Sequence, residues 1–397
     1  MKNVHKKIPS VILIIALVGF PQISESIFTP VLPAISQAMQ VSAQTSQLTM
    51  SSYFIGFAIG VLFWGWLSDR VGRRPAMSWG IVVYLLGNIG LLLASNFAGL
   101  MVARVVQAFG AATGSVVTQT IMRESFAGIK GKKVFAQVSA AMALSPALGP
   151  LLGGEVQSYF GNYRSVFAVL ISMAVILYLV VLLKLPETRV PTTSEVISPW
   201  YRVAMKMLKS PQVWGYCLII SGINGILFSY YAEAPFVFER HFGLSVQQYG
   251  WLGIVMAAAS ITGAVTANWL AGKVRAEQIT NLGLLIALIG SLGMLIMATY
   301  LPLLLLTVFI TFMGVNVTLP IALNQALIGF EDVIGTASGL LSFVYYLIIS
   351  ALTFLMSVMH DGTVWALPKY MVLVIVMMVF GRLITGELSK KGNLIKE

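Results

Sequence analysis

Four ionisable side chains interrupt otherwise apolar stretches of this 397-residue chain: Glu25, Arg104, Glu155 and Glu233. A charge in the middle of a membrane-spanning helix costs about 2.5–3.5 kcal/mol on insertion scales, so such a residue normally faces a cavity or a partner. A carboxylate held there can take up and release a proton, and a nearby arginine favours its ionised form. Glu233 stands in "ILFSYYAEAPFVFERHFG", among Tyr, Ala, Pro and Phe. It is read either as a proton-binding group or as a residue near the end of its run that snorkels to water or pairs with Arg240. Arg104 is read as coupling protonation to helix packing, with a buried partner of a carbonyl as the alternative. Glu155 is expected to be an outer-gate or interfacial group rather than a proton carrier.

The elements that must carry these residues follow from composition. The chain is 58% apolar and only 10% charged, whereas a soluble globular protein is about 25% charged. Its apolar runs are continuous, unlike the alternating strands of a membrane barrel. The expected fold class is an all-α polytopic membrane protein. A span needs about 20 apolar residues. Twelve candidates are expected at 9–30, 44–66, 76–95, 99–122, 133–157, 164–183, 212–237, 247–271, 279–299, 301–327, 335–358 and 366–386. The start, "MKNVHKKIPSVILIIALVGF", has the basic flank and apolar run of a signal peptide but no small-residue cleavage site, so it is read as an uncleaved first span.

A net charge of +11 could suggest nucleic acid, but the cations sit in short clusters between apolar runs, which is the pattern of membrane topology. With twelve spans, all but four of the 25 Lys and Arg residues fall on the side of the termini. Arg164, Arg240 and Lys369 fall on the other side, and Arg104 lies within a span. That bias places both termini in the cytoplasm. The single cysteine, Cys217, excludes an intrachain disulfide, and His5, His241 and His360 show no ligand spacing. The polar stretch 184–211 divides the chain into bundles 1–183 and 212–397, with a cytoplasmic linker between. The halves echo each other: "GWLSDRVGRR" (65–74) follows the second run and "NWLAGKVRAE" (268–277) the eighth.

"GWLSDRVGRRP" (Gly65 to Pro75) resembles the cytoplasmic loop signature of the major facilitator superfamily, G-x-L-x-D-R-x-G-R-[RK]. Gly65 would allow close helix approach, Gly72 a tight turn, and Asp69 would accept from a cation or a helix N-terminus. With Arg70, Arg73, Arg74 and Glu124 this forms a candidate conformational lock on the inner face; a merely topogenic basic loop is the alternative. "RVVQAFGAATGS" (104–115) resembles the fourth-span motif of proton-coupled members. "SPALGPLLGG" (145–154) resembles the fifth-span motif of drug:proton antiporters, and "GTASGLLSF" (335–343) is similar to the bicyclomycin and chloramphenicol resistance (Bcr/CflA) branch. Gly149, Pro150, Gly153 and Gly154 are expected to let the fifth span slide closely against its partner in the other half.

The resemblance implies two pseudo-symmetric six-helix bundles, with spans one, four, seven and ten lining a central cavity. It assigns proton coupling to Glu25 and Arg104. Glu233 departs from the branch, which has a small or hydroxyl residue before "APFV"; read with Glu25 as a second proton-coupling acid, it makes a pair of carboxylates of which at least one should bind a proton near neutral pH. Glu25 departs from the branch: Glu replaces the usual Asp and stands about one residue early, with Ser26 at the expected place. Cavity candidates are Tyr53, Gln107, Tyr230, Tyr231, Phe236, Asn316, Asn324 and Gln325 beside the two acids. The implied protein is not an enzyme and needs no cofactor, being driven by the proton gradient of the cell inner membrane. Its expected partners are a small amphipathic or cationic substrate, protons and the bilayer, with no nucleic acid, no metal and a monomeric state. Two alternatives stay open: a dedicated transporter of one metabolite, such as a siderophore or amino-acid-like compound, and a passive facilitator.

Overall fold

The computed structural model describes residues 8–126, 128–189 and 200–394. Lys2, His5, Lys6, Lys7 and Lys396, invoked above for the N-terminal flank and for orientation, lie outside the described residues, as do linker residues 190–199. The described regular structure is helical apart from one isolated bridge, Ala271 to Val274. In chain order the helices are α1 (Val11–Ser26), a 3-10 turn (Thr29–Val31), α2 (Leu32–Ala38), α3 (Ala43–Val71), α4 (Arg73–Leu93), α5 (Phe97–Ser125), α6 (Gly128–Phe160) and α7 (Arg164–Lys184). They continue with α8 (Trp200–Leu208), α9 (Pro211–Pro235), a π-helical turn (Phe236–His241), α10 (Val246–Trp251) and α11 (Gly253–Leu270). The last four long helices are α12 (Ala276–Met297), α13 (Leu301–Gln325), α14 (Ile334–Met359) and α15 (Ala366–Leu394).

Among the described residues, eleven helical segments are long and apolar enough to cross a membrane, and they fall on the expected runs. The run expected at 133–157 lies within α6. Local chemistry sets the boundaries. Ser10, Asn96 and Ser210 cap α1, α5 and α9, each accepting a backbone N–H three residues on, at 3.3, 2.8 and 3.4 Å. Gly72 divides α3 from α4 with φ +104°, a conformation glycine adopts without steric cost. Within the "ATYLPLL" stretch, Ala298–Tyr300 alone separate α12 from α13.

The chain forms two compact units. The first comprises Met1–Ser42, Ser52–Val196 and Val246–Trp251; the second comprises Ala43–Ser51, Ile197–Ser245 and Leu252–Glu397. The opening turns of α3 thus belong with the second unit, and α10 belongs with the first. Inside the first unit α4 packs on α5 and α7, and α1 on α5 and α6. Inside the second, α9 packs on α14 and α15, and α13 on α11 and α12.

The internal echo has a structural counterpart in each unit. The Arg70 guanidinium lies 4.3 Å from the centre of the Trp66 ring, and the Lys273 ammonium 4.1 Å from that of Trp269. Each is an i, i+4 cation over an indole face at the end of a long helix, a geometry of electrostatic attraction to the ring.

Candidate functional site

In the first unit the buried charges gather around Arg104. Glycines bring α4 against α5: a side chain at Gly87 would collide with Gln107, and one at Gly110 with Tyr84. That approach sets up a chain of buried amides. The Arg104 guanidinium donates to Gln107 Oε1 (2.5 Å), the Gln107 amide to Asn88 Oδ1 (2.6 Å), and the Asn88 amide to the Tyr84 carbonyl (2.8 Å). Arg104 also reaches the Ser24 carbonyl at 3.4 Å, and its guanidinium carbon lies 4.3 Å from the Tyr53 ring centre and 4.5 Å from that of Phe28. Arg104 Nε and Nη2 are buried with no hydrogen-bond partner among the described residues.

Glu25 is 5% exposed and interacts electrostatically with Arg104. Its one-residue offset from the resembled pattern has a clear packing basis. Ser26, at the expected place, turns to α6: its hydroxyl donates to the Gln22 carbonyl (2.8 Å) and lies where a side chain at Gly149 would be. The acid therefore occupies the neighbouring helical position, in the field of Arg104.

The fifth-span glycines correct an expectation. Gly149 and Gly153 pack against Ser26 and Ile27 of the same half, so α6 is closed onto α1 there. Gly154 does approach a segment from the second half of the sequence: a side chain on it would lie 2.8 Å from the Val246 carbonyl, and one on Gly250 would lie 2.7 Å from the Pro150 carbonyl. Beside that contact Glu155 accepts from the Gln247 amide and the Trp251 indole, all at 3.0 Å.

In the second unit Glu233 has partners that sequence reasoning missed. The Gln47 amide donates to Glu233 Oε2 (2.6 Å), and His360 Nδ1 lies 2.9 and 2.8 Å from its two carboxylate oxygens. Arg240 is not the partner considered for it: that guanidinium sits 4.9 Å from the centre of the Phe236 ring. Local sequence positions the acid, since Pro235 has no N–H to give the preceding turn and the chain widens into the π-turn at Phe236. Tyr230, Tyr231 and Phe236 are buried close by, the Tyr230 ring 5.3 Å from Phe312 and the Phe236 ring 5.7 Å from His360. Asn316 bonds its own helix at the Phe312 carbonyl (2.8 Å). Asn324 and Gln325 do not share its level: they end α13, about 12 Å further along at 1.5 Å per residue. There the Gln325 carbonyl accepts from Gln212 at 2.8 Å.

The loop signature forms a dense ionic knot in the first unit. Arg73 donates to Asp69 at 2.5 Å and to Glu124 at 2.7 Å, and Thr188 donates to Glu124 at 2.8 Å. Glu187, which sequence reasoning passed over, accepts the backbone N–H groups of Arg73 (2.9 Å), Arg74 (3.1 Å) and Arg189 (2.9 Å). It thus places an anion at the N-terminus of α4, where the helix dipole favours one. Partial burial pushes its carboxyl up, but those N–H groups outweigh it and hold the group below the usual carboxylate range. Arg74 donates to the Leu182 carbonyl at 2.5 Å, and Arg189 to the Arg70 carbonyl at 2.6 Å. Gly65 corrects another expectation. The nearest atom to a side chain there would be Val116 Cγ2 at 3.5 Å, an ordinary contact. The close approaches on α3 are Gly56 and Gly60, where added carbons would lie 2.5 and 2.6 Å from the Val105 and Phe109 carbonyls.

Residues 14–353 match the Major Facilitator Superfamily. The chain belongs to that family. It is 32% identical to a Rickettsia bellii protein named "Uncharacterized transporter", over 90% of this chain and 91% of the relative. It is 27% identical to a chloramphenicol resistance protein of Pseudomonas aeruginosa, over 86% of this chain and 82% of that one, in accord with the Bcr/CflA-type motifs. A crystal structure of a D-xylose-proton symporter shares the fold, with TM-score 0.75 at 16% identity over 93% of this chain and 96% of that one. The protein is a multi-pass membrane transporter of small molecules, not an enzyme.

Proposed function

We propose that this transporter exports small amphipathic or cationic compounds in exchange for protons, by alternating access, as a multidrug-type antiporter. The observation that carries the reading is the buried Glu25–Arg104 group with its amide chain through Gln107 to Asn88. Charged and polar side chains are expensive inside a membrane protein and are held there for a task. A buried carboxyl group can be neutralised either by a proton or by a bound cation, and a guanidinium in its field favours release of the proton. The name of the Pseudomonas aeruginosa relative supports drugs as cargo.

In this scheme proton entry from outside neutralises Glu25 and Glu233 and releases the substrate outward; proton loss to the cytoplasm resets the carrier. A membrane potential of 100 mV supplies about 2.3 kcal/mol per charge moved, enough for roughly a fiftyfold gradient per net charge. The reading includes twelve spans in bundles 1–183 and 212–397, both termini on the cytoplasmic side of the inner membrane, a monomer, and no cofactor. Glu25→Gln tests it in proteoliposomes: pH-gradient-driven flux of a cationic dye should vanish while insertion stays intact. Undiminished flux would remove Glu25 from the mechanism, and indifference to proton uncouplers would leave a passive facilitator. One observation favours a dedicated metabolite carrier instead. Glu233 is an acid the resembled branch does not have, and His360 and Gln47 hold it in place. Uptake of labelled metabolites beside growth protection against a toxin panel separates the two cargoes.

A further inference from the structure

The Glu233 contacts place a buried acid directly behind a partly open imidazole. The Glu233 side chain is 1% exposed and that of His360 is 12% exposed. His360 Nδ1 faces both carboxylate oxygens, and Gln47 Nε2 lies 2.6 Å from one of them and 3.3 Å from the same imidazole nitrogen. Two proton placements satisfy this geometry. With Glu233 ionised, Nδ1–H donates to it and the Gln47 amide donates to Oε2. With Glu233 protonated, its O–H donates to a bare Nδ1, and the Gln47 amide stays on Oε2. The ring is an imidazolium in the first form and a neutral imidazole with its proton on Nε2 in the second, so the two differ by one proton moved along a bond already made. We propose that His360 is the proton relay of Glu233, carrying protons between that carboxyl and the aqueous phase at the end of α3 where Gln47 lies. This deepens the proton-coupled reading above and rests on it.

Chain geometry says which end that is. Gln47 and Asp69 stand on one helix, separated by about 33 Å at 1.5 Å per residue, close to the full thickness of a bilayer core. The relay therefore opens on the membrane face opposite the Asp69–Arg73 knot. Its surroundings hold few competing charges. On its own element Tyr230 and Tyr231 precede Glu233, and Glu239, Arg240 and His241 follow, with Arg240 over the Phe236 ring. From α15 come Lys369, which pairs with Asp361 at 3.7 Å, and Tyr370, whose hydroxyl donates to the Gly225 carbonyl. Asp361 also accepts from Thr363. The titratable groups of α14 are Tyr345 and Tyr346; α13 and the opening turns of α3 carry none, and the cations of α8 pack by the far end of α9. The His360 imidazole is in hydrogen-bond contact with both Glu233 carboxylate oxygens.

The same contacts give proton movement a mechanical consequence. Two further hydrogen bonds fasten the opening turns of α3 in the second unit: Ser350 Oγ to the Ser51 carbonyl and Ser357 Oγ to the Gln44 carbonyl, both 2.7 Å. Gln47 is the member of this set whose acceptor changes charge, so its hold depends on where the proton is.

The experiment uses the full-length carrier in detergent and needs no transported substrate. In a His5→Gln/His241→Gln background the ring of His360 is the single nitrogen-15-labelled histidine. The Glu233 carboxyl band is assigned in infrared difference spectra by its loss in Glu233→Gln. The expected result is that ring and carboxyl titrate together, as one coupled pair. In His360→Ala, proton exchange at Glu233 should slow about a hundredfold, the scale of a lost positioned proton carrier, and imidazole in the buffer should restore it. A ring and a carboxyl that titrate independently in the folded parent would overturn the inference, whether or not His360→Ala folds; so would an unchanged exchange rate in that variant. Proton flux through wild-type proteoliposomes is read separately, so its absence would count against proton coupling rather than against this relay.

Discussion

A guanidinium is the group best suited to the place Arg104 occupies, because it presents a planar fork and a flat face together. The fork reaches Gln107 while the face lies over Tyr53 and Phe28. A lysine would keep the charge but neither the fork nor the stacking. Arg104→Lys is therefore expected to lower pH-gradient-driven flux about tenfold or more, the worth of one charged hydrogen bond. Proteoliposome flux, set against the protein's melting temperature, separates lost coupling from lost folding. Glu187 makes a different kind of contribution. Its carboxyl is lower in the folded protein than the 4.5 of an unperturbed glutamate, so ionisation favours folding. That stability is fully present above the unfolded value and disappears as pH falls through the lowered folded one. At neutral pH Glu187→Gln should cost about 0.3–1 kcal/mol, the range for an exposed anion at a helix N-terminus. Melting temperatures of the two proteins should converge as the pH falls below the unperturbed 4.5 and through the lowered folded value; a gap that stays constant over the whole acid range would show that the side chain acts through shape rather than charge.

At the scale of the helix, close approach is decided by backbone atoms, and motif glycines need not be the ones that provide it. On α3 the glycines that meet the neighbouring backbone are Gly56 and Gly60. Gly56→Ala and Gly60→Ala should each cost about 1–3 kcal/mol through overpacking, while Gly65→Ala should be near neutral. Melting temperatures of the three variants test the ordering, and an equal loss at Gly65 would contradict it. This pattern also shows what the sequence could and could not reveal. Apolar run length marked the helices because it is set by the bilayer, and "GWLSDRVGRRP" marked the Arg73 knot because its members lie close together in the chain. The pairing of Glu233 with Gln47 and His360 joins residues 186 and 127 positions apart, so no local spacing announces it. A partial signal existed: Gln44, Gln47 and Ser51 fall on one helical face, a polar stripe at the start of an apolar helix. The turn of Gly149 and Gly153 toward α1 had no such signal, because a glycine gives no sign of what lies against it.

For the whole molecule the decisive quantity is the parity of the crossings, since each additional span reverses the side of everything that follows. Between Ser95 and Ser245 lie the long helices α5, α6, α7 and α9 with its π-turn, and the nine-residue α8, too short to cross. Four crossings return the chain to the same face, whereas three would put the two serines on opposite faces. α6 is the segment outside the eleven that length and composition identify among the described residues, so this pair isolates it. Cys217 is the chain's single cysteine, and its replacement by serine leaves a silent background. In that background Ser95→Cys and Ser245→Cys, both at exposed positions, should react with an impermeant thiol reagent added outside intact cells. Lys209→Cys and Lys273→Cys, exposed and on the proposed cytoplasmic side, should react only after the membrane is opened. If Ser95 and Ser245 label from opposite faces, α6 does not cross, and the pseudo-symmetric pairing of the halves is lost with it. Labelling from the same face joins the two cation–indole corners, Trp66–Arg70 and Trp269–Lys273, to one side of the membrane. There the positive-inside bias, the internal repeat and the ionic knot at Arg73 all require the same orientation.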